Sequence, residues 1–166
     1  MSSRTASSPP TGSRLTSRYL HTSLPPPAPF EPTWVRDEVS HLDTALVPVL
    51  PLALDGLRRR FKGVPLLFRF PPRSFYGWHI DRLRRCALNY EVQPAGQVLF
   101  GVPGPKGSFT DLEVLDYQGR LVLLDTSRWH AVSNPTALPR VVFSLGFNEV
   151  SFKEVAASLN TGEEGT

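Results

Sequence analysis

From residue 64 onward the chain reads as short apolar runs of period two, broken by glycine and proline. Side chains two apart on a strand share a face, so such runs predict strands with one buried side. The runs fall at 64–70, 85–92, 97–100, 111–116, 120–124 and 140–147, with Gly/Pro clusters at 101–107 and a Tyr-Gln-Gly turn at 117–119. Upstream the period changes. Val35, Val39, Leu42, Leu46 and Val49 recur at spacings of three and four, which predicts a helix within 34–60. Pro48 and Pro51 break or end it, and 55–61 predicts a second helical turn. A short terminal helix is expected at 151–160. Short strands with regular turns predict a mostly β fold, a sandwich or jelly roll, with a helical N-terminal flank.

Composition narrows this. A chain of 166 residues fits one domain plus tails, long enough to bury a core without staples. Residues 1–30 hold no acid, three Arg and Pro25-Pro26-Pro27, so 1–31 is expected to be a disordered tail. An organelle transit peptide is the alternative for an acid-free, Arg- and Ser-rich start. The domain is placed at 32–156, and 157–166 is expected to fray. The single cysteine, Cys86, excludes an intrachain disulfide and sits where a buried, inert thiol is expected. No apolar run is long enough for a membrane span, and no signal-peptide core is visible. The expectation is a cytoplasmic protein of a reducing compartment.

Candidate chemistry lies in four residues. His79 and Asp81 form a His-x-Asp pair, His130 follows about fifty residues later, and Arg140 comes ten residues after that. On an extended segment His79 and Asp81 point to one side. Two imidazoles and a carboxylate can hold a transition metal and leave its opposite face open. A His-x-Asp arises by chance in roughly one such chain in five, so the weight lies in the conjunction. His130 follows the strand-like run 121–126. Arg140, Val142 and Ser144 would share a face of the run 140–147. The Asn134-Pro135 and Pro139 turn between them predicts that His130 and Arg140 lie on adjacent antiparallel strands. Arg140 offers a planar, permanently charged fork for a carboxylate.

This set resembles the signature of the Fe(II)/2-oxoglutarate-dependent dioxygenase superfamily. Residues 79–90 resemble the first metal strand and the strand after it in small bacterial and phage-type members, and 123–132 resemble the second. The likeness spans roughly 64–150. It implies a double-stranded β-helix, a distorted jelly roll with iron at its mouth. It also implies His79, Asp81 and His130 as Fe(II) ligands, 2-oxoglutarate as co-substrate and O2 as oxidant. Arg140 would pair with the distal carboxylate, with Ser144, Asn89 and Tyr90 as further co-substrate contacts. Asp81, rather than a small residue, favours hydroxylation or demethylation over halogenation.

Other features keep alternatives open. Residues 58–85 hold nine Arg or Lys and one acid. That could attract nucleic acid, as in a demethylating oxygenase, but a solvated edge is preferred by about two to one. Arg84 or Arg85 is a candidate for a substrate carboxylate. Asp125 is a candidate second acceptor for His130, or a turn cap. Trp78 and Trp129 each precede a metal histidine, so alternation sends them outward. A cupin-like module that binds metal or a small ligand without turnover is the rival reading. The prime substrate is not legible.

Overall fold

The alternation at 140–147 is the organising feature of the fold. In a computed structural model that describes residues 18–161, Arg140–Phe147 is a strand buried along its whole length. The chain runs β1 (Tyr19–His21), β2 (Val35–Arg36), β3 (Asp43–Leu46), α1 (Leu52–Phe61), β4 (Val64–Phe70), β5 (Ser74–His79), β6 (Cys86–Gln93), β7 (Gln97–Pro103), β8 (Phe109–Leu115), β9 (Val122–Leu124), β10 (His130–Asn134), β11 (Arg140–Phe147) and α2 (Phe152–Thr161). A seven-stranded sheet has the order β1-β9-β6-β11-β4-β3-β2, and a four-stranded sheet the order β5-β10-β7-β8. Every pairing is antiparallel. Strands β4 to β11 cross repeatedly between the two sheets, which is the jelly-roll, double-stranded β-helix arrangement. Strands β1, β2 and β3 widen the larger sheet.

Two apolar layers follow from strand parity. Leu88, Phe143, Leu145 and Phe147 face outward from the larger sheet and are covered by Leu54 of α1 and Val155 of α2. Val98, Phe100, Leu115, Val122 and Leu124 fill the space between the sheets. Cys86 belongs to the outer layer, fully buried, and burial pushes its thiol up to about 12.

The N-terminal flank differs from the expectation. Residues 34–51 contain no helix; β2 and β3 flank a turn at 38–40, with β3 on the edge of β4 and β2 on β3. Apart from buried Leu42 the stripe is solvent-facing, with Val39 89% and Val49 75% exposed, while Ala45 and Val47 are buried on either side of exposed Leu46. Period two therefore wins, because the free edge of β4 offers backbone partners that an isolated helix lacks. The helix begins only after Pro51, which cannot donate a backbone hydrogen bond and so sits at the helix start without loss. Residues 1–17 of the expected disordered tail lie outside the described residues. The remainder is ordered: β1 pairs with β9, and Leu20, Leu24 and Phe30 pack on the core. Arg18 anchors its start through Asp111, 2.5 Å away. Of the expected frayed end, residues 157–161 belong to α2, and 162–166 lie outside the described residues.

Candidate metal centre and pocket

His79 is the last residue of β5 and His130 the first of β10, and the two are register partners. A register shift between His130 and Val132 allows Tyr76 and His79, three apart, both to line the interior. Asp81 is not on the strand. It reaches the same point from the following loop, whose backbone is fixed by Asp81 N–H donating to Thr126 O (3.0 Å) and Thr126 Oγ1 donating to Arg84 O (2.7 Å). The imidazole centroids are 4.3 Å apart. Asp81 Oδ1 lies 3.5 Å from His79 Nε2 and 4.0 Å from His130 Nε2. The three ligand atoms fall within 4.8 Å of one another.

Both rings are held the same way. His79 Nδ1 is 2.6 Å from Gly77 O, and His130 Nδ1 is 2.9 Å from Arg128 O. A carbonyl only accepts, so each Nδ1 carries the proton. In the neutral ring Nε2 then keeps its lone pair, and both lone pairs face Asp81. Such outer hydrogen bonds fix tautomer and ring angle in metal sites. Asp125 does not perform this task; it caps its own turn by accepting from Ser127 and Arg128.

Electrostatics favour ligation. Burial would raise the Asp81 carboxyl, but the hydrogen bond from His79 and the charge of Arg84 outweigh it and hold it at about 2. Burial pulls His79 down, yet its bonds to Asp81 and Gly77 leave it raised overall. Burial dominates at His130 and lowers it. One anionic carboxylate and one neutral imidazole, that of His130, thus converge, and only His79 has a proton to give up to an ion.

Arg84 was not foreseen in its observed role. Its Nε donates to Asp81 Oδ2 (2.7 Å) and its Nη1 to Ser144 Oγ (3.0 Å). The side chain lies across Gly146, where a Cβ would come within 2.6 Å of Arg84 Cδ. A spacing of three from Asp81 was the available signal.

Arg140 and His130 do not sit on adjacent strands. β10 belongs to the smaller sheet and β11 to the larger, so the two residues face each other across the interior. Residues 135–139 cross between sheets, braced by Asn134 Nδ2 donating to Pro71 O and Leu138 O, both 2.9 Å. Arg140, Val142 and Ser144 share the inner face, as their parity requires, and line the same pocket of about 140 Å³ as the histidines. Arg140 is 1% exposed. Its Nε donates to Glu91 Oε1 (2.9 Å), and its Nη2 lies 2.8 Å from the same oxygen without hydrogen-bond alignment. Asn89 Oδ1 and the Tyr117 hydroxyl are likewise buried in this pocket without an aligned partner. Glu91 lies two residues from Asn89 on the same face, a signal that was available. Tyr117 stands in what the sequence presents as a turn.

One expected contact is placed elsewhere. Tyr90 alternates with Asn89 and packs in the outer layer. Ser144 lines the pocket four residues along β11 from Arg140, its hydroxyl accepting from Arg84 Nη1. Trp78 and Trp129 point outward, clustering around Phe109 at 4.0 and 5.7 Å. Five of the nine basic residues of 58–85 are ion-paired: Arg58 and Arg59 with Asp55, Lys62 with Glu149, Arg69 with Asp43 and Arg84 with Asp81. No helix among the described residues is long and apolar enough to cross a membrane.

No protein family matches the sequence, and neither does any curated protein. Similar solved structures include an oxidoreductase of the 2OG-Fe(II) oxygenase family from Burkholderia pseudomallei. It shares 15% identity over 69% of this chain and 72% of that one, with a TM-score of 0.46. A Pseudomonas putida prolyl-4-hydroxylase shares 19% identity over 69% and 73%, at 0.45. The Drosophila melanogaster CENP-C cupin domain shares 12% over 74% and 85%, at 0.42. Likenesses this distant include both oxygenases and a cupin domain and do not choose between them.

Proposed function

We propose that this chain is an Fe(II)- and 2-oxoglutarate-dependent oxygenase that hydroxylates a second substrate. The observation that carries the reading is the shared pocket: two imidazole Nε2 atoms converge on Asp81 Oδ1 at one end, with a buried guanidinium among unpartnered polar atoms at the other. The donor set suits Fe(II), being two neutral nitrogens and one carboxylate on one side of a point. Charge also fits. Asp81 is balanced by Arg84 and Glu91 by Arg140, so the protein lining is near neutral. A divalent ion then leaves two positive charges, which a dicarboxylate matches.

His79, Asp81 and His130 would hold the ion, which would supply O2 activation coupled to conversion of 2-oxoglutarate to succinate and CO2. The chain's own contribution is placement. Gly77 O and Arg128 O aim the imidazoles. Arg84 occupies Asp81 Oδ2 and leaves Oδ1 for the ion. Arg140 keeps hydrogen-bond capacity beyond Glu91 for a carboxylate, with Asn89 and Tyr117 beside it. Phe70, Phe100 and Val98 keep the lining dry, which strengthens each polar contact.

Glu91 supports a second reading. An arginine already neutralised inside its pocket offers less to a co-substrate, as in a cupin-like binding module. Succinate formation separates the two. With Fe(II), ascorbate and 2-oxoglutarate, the oxygenase forms succinate in an iron-dependent manner, and His79→Ala or His130→Ala abolishes it with the fold retained. Metal binding without succinate leaves the binding module.

A further inference from the structure

The inner pocket, at about 140 Å³, is the smaller of two volumes that meet at Asp81. A metal ion and a five-carbon dicarboxylate would take up much of it, so a second molecule is better received beside it. A groove of about 650 Å³ adjoins it, and the two share Phe68, Asp81, Arg84 and Ser144. Its floor is the continuation of the same inner face: Val64, Leu66 and Phe68 on β4, with Gly146 on β11. Val39 and Leu83 line it as well, 89% and 79% exposed. Apolar side chains this exposed, gathered around one groove, mark a binding surface more often than a bare one.

Three observations define the occupant. First, both floor strands are hydrogen-bonded on both edges, β4 to β3 and β11, and β11 to β4 and β6. An extended peptide would find no backbone edge to pair with. Second, the volume lies in the small-ligand range. Third, Asp81 and Arg84 neutralise each other, whereas Arg82 on the lining has no ion pair among the described residues. The groove is therefore apolar with one uncompensated positive charge.

We propose that this groove receives the prime substrate, and that the substrate is a small anionic amphiphile: an alkyl or aryl body over Val64, Leu66 and Phe68, with its anion paired to Arg82. The proposal rests on the oxygenase reading for its place in a reaction, but the groove can be tested without turnover. Arg84, bridging Asp81 Oδ2 and Ser144 Oγ, is the partition between the two volumes, so the oxidised carbon is presented past it.

Decanoate is the probe, titrated calorimetrically into the metal-free full chain. Binding is expected, with decyltrimethylammonium binding at least tenfold more weakly. Arg82→Gln is expected to weaken decanoate about threefold, the scale of one exposed ion pair. Val39→Asp and Leu83→Asp, at surface positions that leave the fold intact, are expected to weaken it about tenfold or more. Equal binding of the cation, or unchanged affinity in all three variants, overturns the proposal. Tighter binding of an acidic, leucine-rich peptide than of decanoate also overturns it in favour of a polypeptide substrate. Mn(II) is then added, its binding followed separately by electron paramagnetic resonance. Broadening along the decanoate chain places the groove beside the metal. Broadening confined to the protons beside the carboxylate means that the acid ligates the metal, and overturns the proposal. Decanoate binding without any Mn(II) binding overturns the metal reading and leaves the groove.

Discussion

Arg84 Nε and Asp81 Oδ2 are 2.7 Å apart, and Asp81 Oδ1 alone is left facing the two imidazoles. A carboxylate has two oxygens and two lone pairs on each. Committing one oxygen to a guanidinium fixes the rotamer and determines which oxygen an ion can use. The second Arg84 bond, to Ser144 on β11, ties that choice to the larger sheet. The site is thus set by a residue that would not itself touch the ion.

Removing this brace tests its role. Arg84→Gln is expected to weaken Mn(II) binding by about 10- to 100-fold, the usual scale for loss of an outer partner. The fold should hold, because Arg84 is only half-buried. Gly146→Ala is the quieter version: its Cβ would meet Arg84 Cδ at 2.6 Å and push the side chain off its seat. Mn(II) titration of both variants checks this; unchanged affinity in both removes Arg84 from the site.

Metal affinity should fall as pH falls, with a slope of one proton. The ion competes with a proton at His79 Nε2. His79 is raised above 6.5 because its bonds to Asp81 and Gly77 outweigh burial, so competition begins on the alkaline side of an ordinary imidazole. His130, lowered by burial, stays neutral through that range, and Asp81, at about 2, stays ionised. Below the His79 pKa each pH unit is expected to cost about tenfold in affinity. Potentiometric titration counts the protons released on Mn(II) binding near neutrality. Two protons instead of one would mean that His130 is also protonated.

Much of the fold was legible because strand parity is local. Val142 and Ser144 face the pocket while Phe143 and Leu145 face the helices, as the alternation alone requires. The region from Trp34 to Pro51 was not legible. Alanine at position 45 is a weak apolar mark, and the exposed valines around it supplied a false period. The relation of His130 to Arg140 was not legible either. Whether a turn joins neighbours in one sheet or crosses to the facing sheet depends on pairings with β5, β7, β4 and β6, which are remote in sequence. The convergence of His79, Asp81 and His130 could be anticipated from spacing, whereas Glu91 and Tyr117 owe their place to where distant strands end.

Gly96 is expected to tolerate no side chain. A Cβ there would lie 2.0 Å from Ser133 O and 3.0 Å from Arg140 Cδ, and the first is backbone of β10 that cannot yield cheaply. Gly96→Ala is expected to cost about 1–3 kcal/mol, the scale of overpacking a filled site. For a chain of this size that lowers Tm by several degrees. A thermal melt checks it, and a Tm equal to wild type would show that the 94–96 connection is free to move away from β10.

Arg140 separates stability from co-substrate binding. It is fully buried and paired with Glu91, so Arg140→Ala leaves a carboxylate in the interior without its cation. Breaking one side of such a pair costs about 3–5 kcal/mol, measurable by urea unfolding. That loss alone would depress activity, so Ala is a poor test of function. Arg140→Lys keeps the charge and can still reach Glu91, but its ammonium cannot present a planar fork to a second carboxylate. It is expected to unfold near wild type, to bind Mn(II) unchanged, and to raise the Kd for 2-oxoglutarate in the Mn(II)-loaded protein about tenfold. Glu91→Gln makes the complementary change. It keeps an acceptor for Arg140 Nε and leaves the cation uncompensated, so 2-oxoglutarate is expected to bind more tightly than in wild type. If neither variant shifts the Kd for 2-oxoglutarate, Arg140 and Glu91 are a structural pair, and the dicarboxylate has no anchor at this end of the pocket.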